Sequence, residues 1–477
     1  MSSRDEARRM TRAAAVLSLG EVLGKLATLL MLGLIARGLG VADFGAFSLG
    51  LGLGLLLASA TTLGLDQRLV QLTGTDPGSV SARLSSLLAL RLLLGAVVIG
   101  GSALVLPLGE QVPWPVVLAL VAAGCCDGLT EAFRSAASTR HVQSGPALVL
   151  VVQRFLGLGL VVLTLWLGAG LIGAALGYLT AAMVGLLLMA ATAWRYGRVR
   201  PSPFAVTRAH VRDYLVAVRI TGLNDLASMA LFRIDVVIVA WLAGTVAVGY
   251  YTAAYRLLET VLFISWSVAR VILPALADTS LPAPERSRTV SAALVAVTAV
   301  YLPYTALLLT RGEELVALLF GTEFGSTAII LWLAPAPLFF GAAQIGIIAL
   351  LAIRPDSAVL LASTLALAVN VGLDLALVPV WGPAAAAAAT TAAYAVQATV
   401  VLIALRRRIA PLHVRRALAV CAGTVVVAGA TMLLPGHVLT AGVVGGLVYV
   451  SLWSLASRRW DRPTHDLVRS ILRPGTS

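Results

Sequence analysis

Two apolar runs follow each other directly at residues 147–168 (ALVLVVQRFLGLGLVVLTLWLG) and 171–194 (LIGAALGYLTAAMVGLLLMAATAW), with only Ala169 and Gly170 between them. Each run reaches the length of about 20 apolar residues that a helix needs to cross a bilayer. The runs are continuous rather than alternating, which favours helices over the strands of a membrane barrel. This stretch therefore predicts two transmembrane helices joined by a tight turn.

The whole chain has the same character. Of its 477 residues, 59% are hydrophobic and 12% are charged, and the mean hydropathy is +0.94. A soluble protein carries roughly 25% charged residues, so this composition cannot supply the polar shell of a soluble enzyme. The high hydrophobic fraction and low charge also exclude a disordered chain, and this composition, with three cysteines, excludes a secreted disulfide scaffold. The composition predicts a polytopic membrane protein.

Fourteen apolar runs are long enough to span, which predicts an all-α protein with about 14 transmembrane helices. The predicted spans are 13–36, 44–66, 84–109, 113–133, 147–168, 171–194, 214–243, 246–276, 290–311, 326–352, 357–379, 382–405, 415–435 and 437–456.

The net charge of +13 comes from arginines that lie mostly in alternate connections between the spans. By the positive-inside rule these connections are cytoplasmic, so both termini are predicted to lie in the cytoplasm, with the protein in the cytoplasmic (inner) membrane. The longest connection, 195–213, leaves no room for a nucleotide-binding or catalytic domain. We therefore expect no enzyme activity, no cofactor, no metal site and no nucleic-acid partner.

A repeat is suggested by shifting the sequence by 204 residues, which places Gly40 on Gly244, Gly45 on Gly249 and Glu21 on Asp225. Abundant glycine and alanine are the alternative explanation for part of this match. Two repeats of six spans are parallel about an axis along the membrane normal. The predicted division is an N-terminal six-helix lobe (1–194), a basic cytoplasmic linker (195–213), a C-terminal six-helix lobe (214–405), and two extra helices with a tail (406–477).

Several spans carry ionisable residues, which are costly at bilayer depth and normally face a cavity or a partner. In the first span Glu21, Lys25 and Thr28 share one helical stripe, although Glu21 and Lys25 could simply neutralise each other. The seventh span holds Asn224, Asp225, Arg233 and Asp235, and the eighth holds Tyr255, Arg256 and Glu259. These residues predict a polar cavity, with helix packing as the alternative.

Other polar residues within the spans have simpler expected roles. Arg91 and Arg154 have long stems that can extend to the interface. Asn370 and Asp374, four residues apart, are expected to hydrogen-bond between packed helices.

Four motifs carry a family resemblance. They are IARGLGVADFGAFSL at 35–49, RID at 233–235 with VGYYTAAYRLLE at 248–259, GTEF at 321–324, and NVGLDLALVPVWGPAAA at 370–386. Together they resemble the polysaccharide transporters of the O-antigen flippase type, within the multidrug, oligosaccharidyl-lipid and polysaccharide exporter superfamily. The resemblance implies two six-helix lobes around a cationic cavity.

The resemblance also implies a substrate, a polyprenyl-pyrophosphate-linked oligosaccharide that is moved to the outer leaflet by alternating access. Pyrophosphate needs cationic partners when it leaves water, so Lys25, Arg256 and Arg233 are the expected head-group ligands, with Tyr255 and Asn224 lining the cavity. A carboxylate at Glu21 departs from the related lipid II flippases, which have an arginine near that place. This departure argues against lipid II as the substrate.

Transport can be coupled to an ion, Na⁺ or H⁺, because burial favours a protonated carboxylate and carboxylates bind Na⁺. The coupling residues expected here are Glu21, Asp225, Asp235 and Glu259. The alternative functions are an ion-coupled multidrug/cation antiporter of the same superfamily and a membrane glycosyltransferase or ligase. A polysaccharide polymerase or ligase is an expected partner.

Overall fold

We describe the protein from a computed structural model. It covers residues 3–105, 112–140, 144–218, 222–277, 282–353, 357–409, 411–460 and 466, except for some side chains, including those of residues 3–19, 21 and 223–225. Every long regular element within these ranges is an α-helix, as the composition predicted. The helices are α1 Ser3–Thr62, α2 Leu65–Thr75, α3 Val80–Val105, α4 Trp114–Ser138, α5 Ser144–Trp166, α6 Gly170–Arg195, α7 Arg208–Ala217, α8 Leu223–Ala277, α9 Ala283–Phe320, α10 Thr327–Leu333, α11 Ala336–Ile353, α12 Ser357–Trp381, α13 Pro383–Arg406, α14 Arg415–Met432 and α15 Val438–Trp460.

The number of membrane crossings agrees with the predicted fourteen spans. Within the described residues, 12 segments are long and apolar enough to cross a membrane. Two of these, Leu23–Gly74 with 52 residues and Leu226–Leu273 with 48 residues, are each long enough to cross twice. The protein is therefore a multi-pass membrane protein, with two pairs of spans fused into long elements.

The two fused elements have the same break, which supports the internal repeat. Gly40 inside α1 has φ 79° and ψ 179°, and Gly244 inside α8 has φ 82° and ψ 174°. Positive φ is accessible to glycine at little cost because it has no Cβ. The sequence predicted connections at these places, residues 37–43 after the first span and residues 244–245 after the seventh. A single glycine in this conformation interrupts each helix instead.

A second pair of glycines brings the two breaks together within the first half of the chain. A Cβ atom on Gly45 would lie 1.9 Å from the carbonyl oxygen of Thr245, and one on Gly249 would lie 2.4 Å from that of Val41. Val41 and Thr245 are related by the same shift as the two glycines. The contact is therefore reciprocal, as in a self-complementary interface, and only glycine fits at positions 45 and 249.

One predicted boundary is corrected by the structure. Residues 214–217, predicted to begin the seventh span, belong instead to α7, because Tyr214 is fully buried against helices α2, α3 and α4. The predicted span 326–352 is found as one segment long enough to cross, Thr327–Ile353, in which Pro335 separates α10 from α11 because proline cannot donate the helical hydrogen bond.

Arg91 lies in the interior of the first half of the chain. Its side chain is 1% exposed, its Nη2 atom is 2.6 Å from Oδ2 of Asp66, and its Nη1 atom donates to the carbonyl of Gly128. The expectation that Arg91 extends to the interface is wrong, because a carboxylate on α2 and a carbonyl on α4 satisfy it internally.

The chain divides into two compact units, Met1–Gly249 and Tyr250–Ser477. The boundary lies inside α8, just beyond the glycine break. The six-helix lobes and the linker remain a prediction from the sequence repeat.

Candidate functional site

A polar cavity lies among helices α1, α5 and α6 of the first unit. It is small, with a volume of about 10 Å³, which is room for about one water molecule. Small side chains on α5 and α6 leave this room, and Thr28, Gln153, Arg154 and Tyr178 supply polar groups. The lining residues are Thr28, Met31, Gln153, Arg154, Gly157, Tyr178, Ala181 and Ala182.

Arg154 is the cation of this cavity. Its Nη1 atom is 3.4 Å from the hydroxyl of Tyr178, and its stem passes Gly24, where a Cβ would lie 3.5 Å from the arginine Cγ. Position 154 is near the middle of α5 (Ser144–Trp166). The expectation that Arg154 extends to the membrane interface is therefore wrong. Its place in the middle of an apolar helix was the available signal for a cavity residue.

A hydrogen bond from the side-chain amide of Gln153, which lines the cavity, connects α5 to the neighbouring helix α4. Gln153 Nε2 donates to Oδ1 of Asp127 on α4 at 2.7 Å, and Gln153 is 5% exposed. Glu131, one turn further along α4, accepts from Arg134. Asp127 thereby orients Gln153 beside Arg154.

The predicted residues of the first span are only partly described. Lys25 is half-buried on α1, one turn before Thr28, which lines the cavity. The side chains of Glu21, Asn224 and Asp225 lie outside the described part of the structure. Their assignment to substrate or ion binding stays a prediction.

Arg233 and Asp235 lie on α8 before its break at Gly244. Asp235 is 0% exposed, and its Oδ1 atom accepts from the backbone N–H of Val236 at 2.8 Å. Arg233 is half-buried. A fully buried carboxylate inside a membrane-spanning helix has the burial that an ion-coupling residue requires, and the same burial suits a structural counter-charge.

The structure brings Arg256 and Glu259 of the second unit together. Arg256 Nη1 donates to Oε2 of Glu259 one turn along α8, and the two side chains are 10% and 20% exposed. Each group therefore neutralises the other in a poorly solvated place. Arg256 has less charge to offer a substrate than the sequence suggested.

Two tyrosines of α8 are held by α13. Tyr255 is 1% exposed with its hydroxyl 3.4 Å from that of Tyr394, and the Tyr251 hydroxyl is 3.1 Å from Oγ1 of Thr390. In this conformation Tyr255 has almost no surface to offer a ligand.

A buried polar pair on α12 stands out in the second unit. Asn370 and Asp374 are both 0% exposed. Neither amide atom of Asn370 makes a hydrogen bond to the described part of the chain. From the sequence, we expected this pair to form hydrogen bonds between packed helices. Two polar residues four apart in an apolar helix also indicate a polar site.

Apolar helices long enough to span and charges buried among them define a polytopic membrane protein. The family model described as "Polysaccharide biosynthesis protein" matches residues 10–280. The model described as "Lipid II flippase MurJ" matches residues 146–452. Each covers more than half of the chain, so the protein belongs to the multidrug, oligosaccharidyl-lipid and polysaccharide exporter superfamily, in its polysaccharide and flippase branch.

Solved structures share the fold at low sequence identity. The lipid II flippase MurJ in an inward closed conformation has a TM-score of 0.79 and 16% identity, covering 93% of this chain and 99% of its own. An inward-facing multidrug resistance MATE family transporter has a TM-score of 0.65 and 17% identity, covering 82% and 94%. A superfamily transporter from Pyrococcus furiosus with a binding pocket of reversed polarity has 0.61 and 17%, covering 83% and 95%. No curated protein matches the chain.

Proposed function

We propose that the protein is a flippase that moves a polyprenyl-pyrophosphate-linked oligosaccharide across the cytoplasmic membrane by alternating access. The observation that carries this proposal is the overlap of the two family matches, which together extend over residues 10–452. One family is named for polysaccharide biosynthesis and the other for a lipid flippase. A lipid-linked saccharide is the substrate class that both names share.

The chemistry of the first unit supports an anionic head group. Arg154 and Lys25 are cations on spanning helices, and Arg154 lies beside the hydroxyl of Tyr178 in a small cavity that Thr28 also lines. Charge-assisted hydrogen bonds from such groups replace the water that a pyrophosphate loses. From the sequence argument, Lys25, Arg233 and Arg256 are the proposed head-group ligands, and Tyr255 and Asn224 are further proposed substrate-binding residues.

The setting of this activity is also a proposal. Both termini are cytoplasmic, the membrane is the inner one, and a polymerase or ligase uses the delivered oligosaccharide. We propose transport rather than bond-making, so the lipid-linked saccharide should leave the protein chemically unchanged.

The test is flipping by the purified full-length protein in proteoliposomes. A fluorescent polyprenyl-pyrophosphate oligosaccharide is placed in both leaflets, and a membrane-impermeant reductant bleaches the outer pool. We expect bleaching to pass the half-way level only with the protein present. Bleaching equal to that of protein-free vesicles would contradict the proposal, and a chemically altered saccharide would indicate a glycosyltransferase or ligase.

The second function to consider is an ion-coupled cation antiporter. The buried Asn370 and Asp374 pair favours it, because an amide and a carboxylate of this burial can bind a cation. The same vesicles test it. Gradient-driven uptake of an organic cation, without flipping of the saccharide lipid, would favour the antiporter.

Ion coupling is a further part of the proposal, with Glu21, Asp225, Asp235 and Glu259 as its residues and Na⁺ or H⁺ as the ion. The ion pair between Arg256 and Glu259 favours a counter-charge role for Glu259. Asp235 is fully buried, as a carboxylate that binds an ion within the membrane would be.

Coupling predicts that an imposed pH or Na⁺ gradient changes the flipping rate. Asp225→Asn should remove that response while the labelled lipid still binds, because an amide neither titrates nor supplies the same negative charge to Na⁺. The matched control is Asp213→Asn, at a half-exposed carboxylate paired with Arg83 on the surface. Flipping that ignores both gradients in the unmodified protein would show that the acids are structural counter-charges.

A further inference from the structure

The connection between α6 and α7 forms a basic strap, residues 195–217, on the surface of the first unit. It leaves α6 at Arg195, passes through a short turn at Pro203–Ala205 and ends in α7. All five of its arginines are exposed: Arg195, Arg198, Arg200, Arg208 and Arg212.

Hydroxyl groups of α3 fix the backbone of the strap. Three serines near the start of α3 each accept a hydrogen bond from a backbone N–H of the strap. The bonds are Arg200 N to Ser81 Oγ at 3.1 Å, Ser202 N to Ser85 Oγ at 2.9 Å, and Thr207 N to Ser86 Oγ at 3.3 Å. The strap is therefore held at several points along its length.

Two strap side chains extend this attachment into the core. Val199 and Tyr214 are both 0% exposed in a cluster with residues of α2, α3 and α4. The Tyr214 hydroxyl donates to the carbonyl of Arg83 at 3.1 Å, and burial raises the pKa of this phenol. Asp213, the only acidic residue of the strap, lies 3.3 Å from Nη1 of Arg83. The inner face of the strap therefore packs against the rest of the first unit.

The outer face combines cations with apolar side chains. On α7, Arg208, Arg212, Leu215 and Val216 follow the spacing of one helical stripe, and Leu215 and Val216 are 52% and 60% exposed. Phe204, in the preceding turn, is 98% exposed. Its apolar side chains are unfavourable in bulk water, and its arginines are unfavourable in the interior of a protein.

The end of α6 indicates which surroundings this face meets. Trp194 and Tyr196 are 60% and 63% exposed where the spanning helix ends. Exposed aromatic residues at the end of a spanning helix are typical of the membrane–water interface. The strap begins there and should lie at the level of the lipid head groups.

We propose that the outer face of the strap binds anionic phospholipid head groups, with Phe204, Leu215 and Val216 inserted among the acyl chains. Arginines at an anionic surface attract the lipid phosphates electrostatically. The apolar side chains of interfacial helices enter about 5–10 Å into the head-group and acyl boundary. Charge complementarity selects the occupant, because the strap's only carboxylate is already paired with Arg83.

The binding test uses the full-length protein purified in detergent with phosphatidylglycerol or phosphatidylcholine. The strap variant is Arg198→Gln/Arg208→Gln/Arg212→Gln, and the matched control is Arg406→Gln/Arg407→Gln/Arg416→Gln, which removes three exposed arginines outside the strap. We expect the affinity of the strap variant for phosphatidylglycerol to fall by roughly tenfold or more. The control should retain its affinity, and phosphatidylcholine binding should be unchanged in all three proteins.

A second measurement places the strap relative to the bilayer. A spin label at Phe204→Cys, in a protein whose three native cysteines are replaced by alanine, reports depth in nanodiscs that contain phosphatidylglycerol. We expect the label below the phosphate level, and nearer to water when the strap arginines are replaced. The readouts do not depend on transport, so the proposed flippase activity can fail without affecting them.

Three results would overturn the proposal. They are unchanged phosphatidylglycerol affinity in the strap variant, an equal loss in the control variant, and a label at position 204 that stays in water. The last result would indicate that another protein or chain segment covers this face.

Discussion

Replacing Lys25 with alanine is expected to abolish flipping of the saccharide lipid while the protein stays folded and inserted. Lys25 is the only lysine of the chain, on a spanning helix one turn from the cavity residue Thr28. A hydrogen bond to a charged group contributes about 1.5–3 kcal/mol, which corresponds to roughly a 10- to 100-fold loss of head-group affinity. The measurement is the bleaching assay, together with binding of the labelled lipid.

Conservative and distant replacements separate this role from a structural one. Lys25→Arg keeps the charge and should retain most of the activity. Arg134→Ala removes a cation from an exposed pair with Glu131 and should have little effect. Normal flipping by Lys25→Ala would remove Lys25 from the proposed head-group site.

Arg256 needs a different comparison because it is paired with Glu259. Arg256→Ala alone leaves Glu259 without its counter-charge, so a loss of activity in that variant has two explanations. The double variant Arg256→Ala/Glu259→Gln removes both charges. If Arg256 binds the head group, the double variant is inactive, whereas recovered flipping would assign Arg256 to neutralising Glu259.

The largest loss of stability is expected from Arg91→Ala. Breaking a buried ion pair by removing one partner costs about 3–5 kcal/mol, because the remaining charge stays buried. Asp66 is the remaining charge here, with its side chain 16% exposed, and the carbonyl of Gly128 loses its donor as well. The free energy of unfolding, measured by reversible denaturation in mixed micelles, should fall by about this amount.

Two further variants test the cause. Arg91→Met/Asp66→Asn removes both charges and should recover much of the loss, since the uncompensated carboxylate is gone. Arg134→Ala breaks an exposed pair and should change stability by no more than about 1 kcal/mol. An Arg91→Ala protein as stable as the Arg134→Ala protein would show that water reaches Asp66.

The glycine breaks show how far local sequence determines the fold. Gly40 and Gly244 could be aligned by a simple shift, and their backbone angles are nearly the same. The helix-forming runs, their number and the repeat follow from the chain itself, because a spanning segment needs only length and apolar composition. The sequence alone also indicates the ion pair of Arg256 and Glu259, since residues three apart on a helix are neighbours.

Only the tertiary structure decided which distant groups meet. Arg91 and Arg154 have long side chains that could extend to the interface. In the structure, Asp66 on α2 binds Arg91, and Tyr178 on α6 lies beside Arg154. The strap was visible only as a run of basic residues, and its attachment depends on hydroxyl groups of α3, more than a hundred residues earlier. Hydrophobicity places a segment in the membrane without fixing which neighbour it packs against, because lipid and leucine are equally apolar surroundings. The sequence by itself therefore determined the class, the spans and the repeat of this protein, and packing decided the partners of its buried charges.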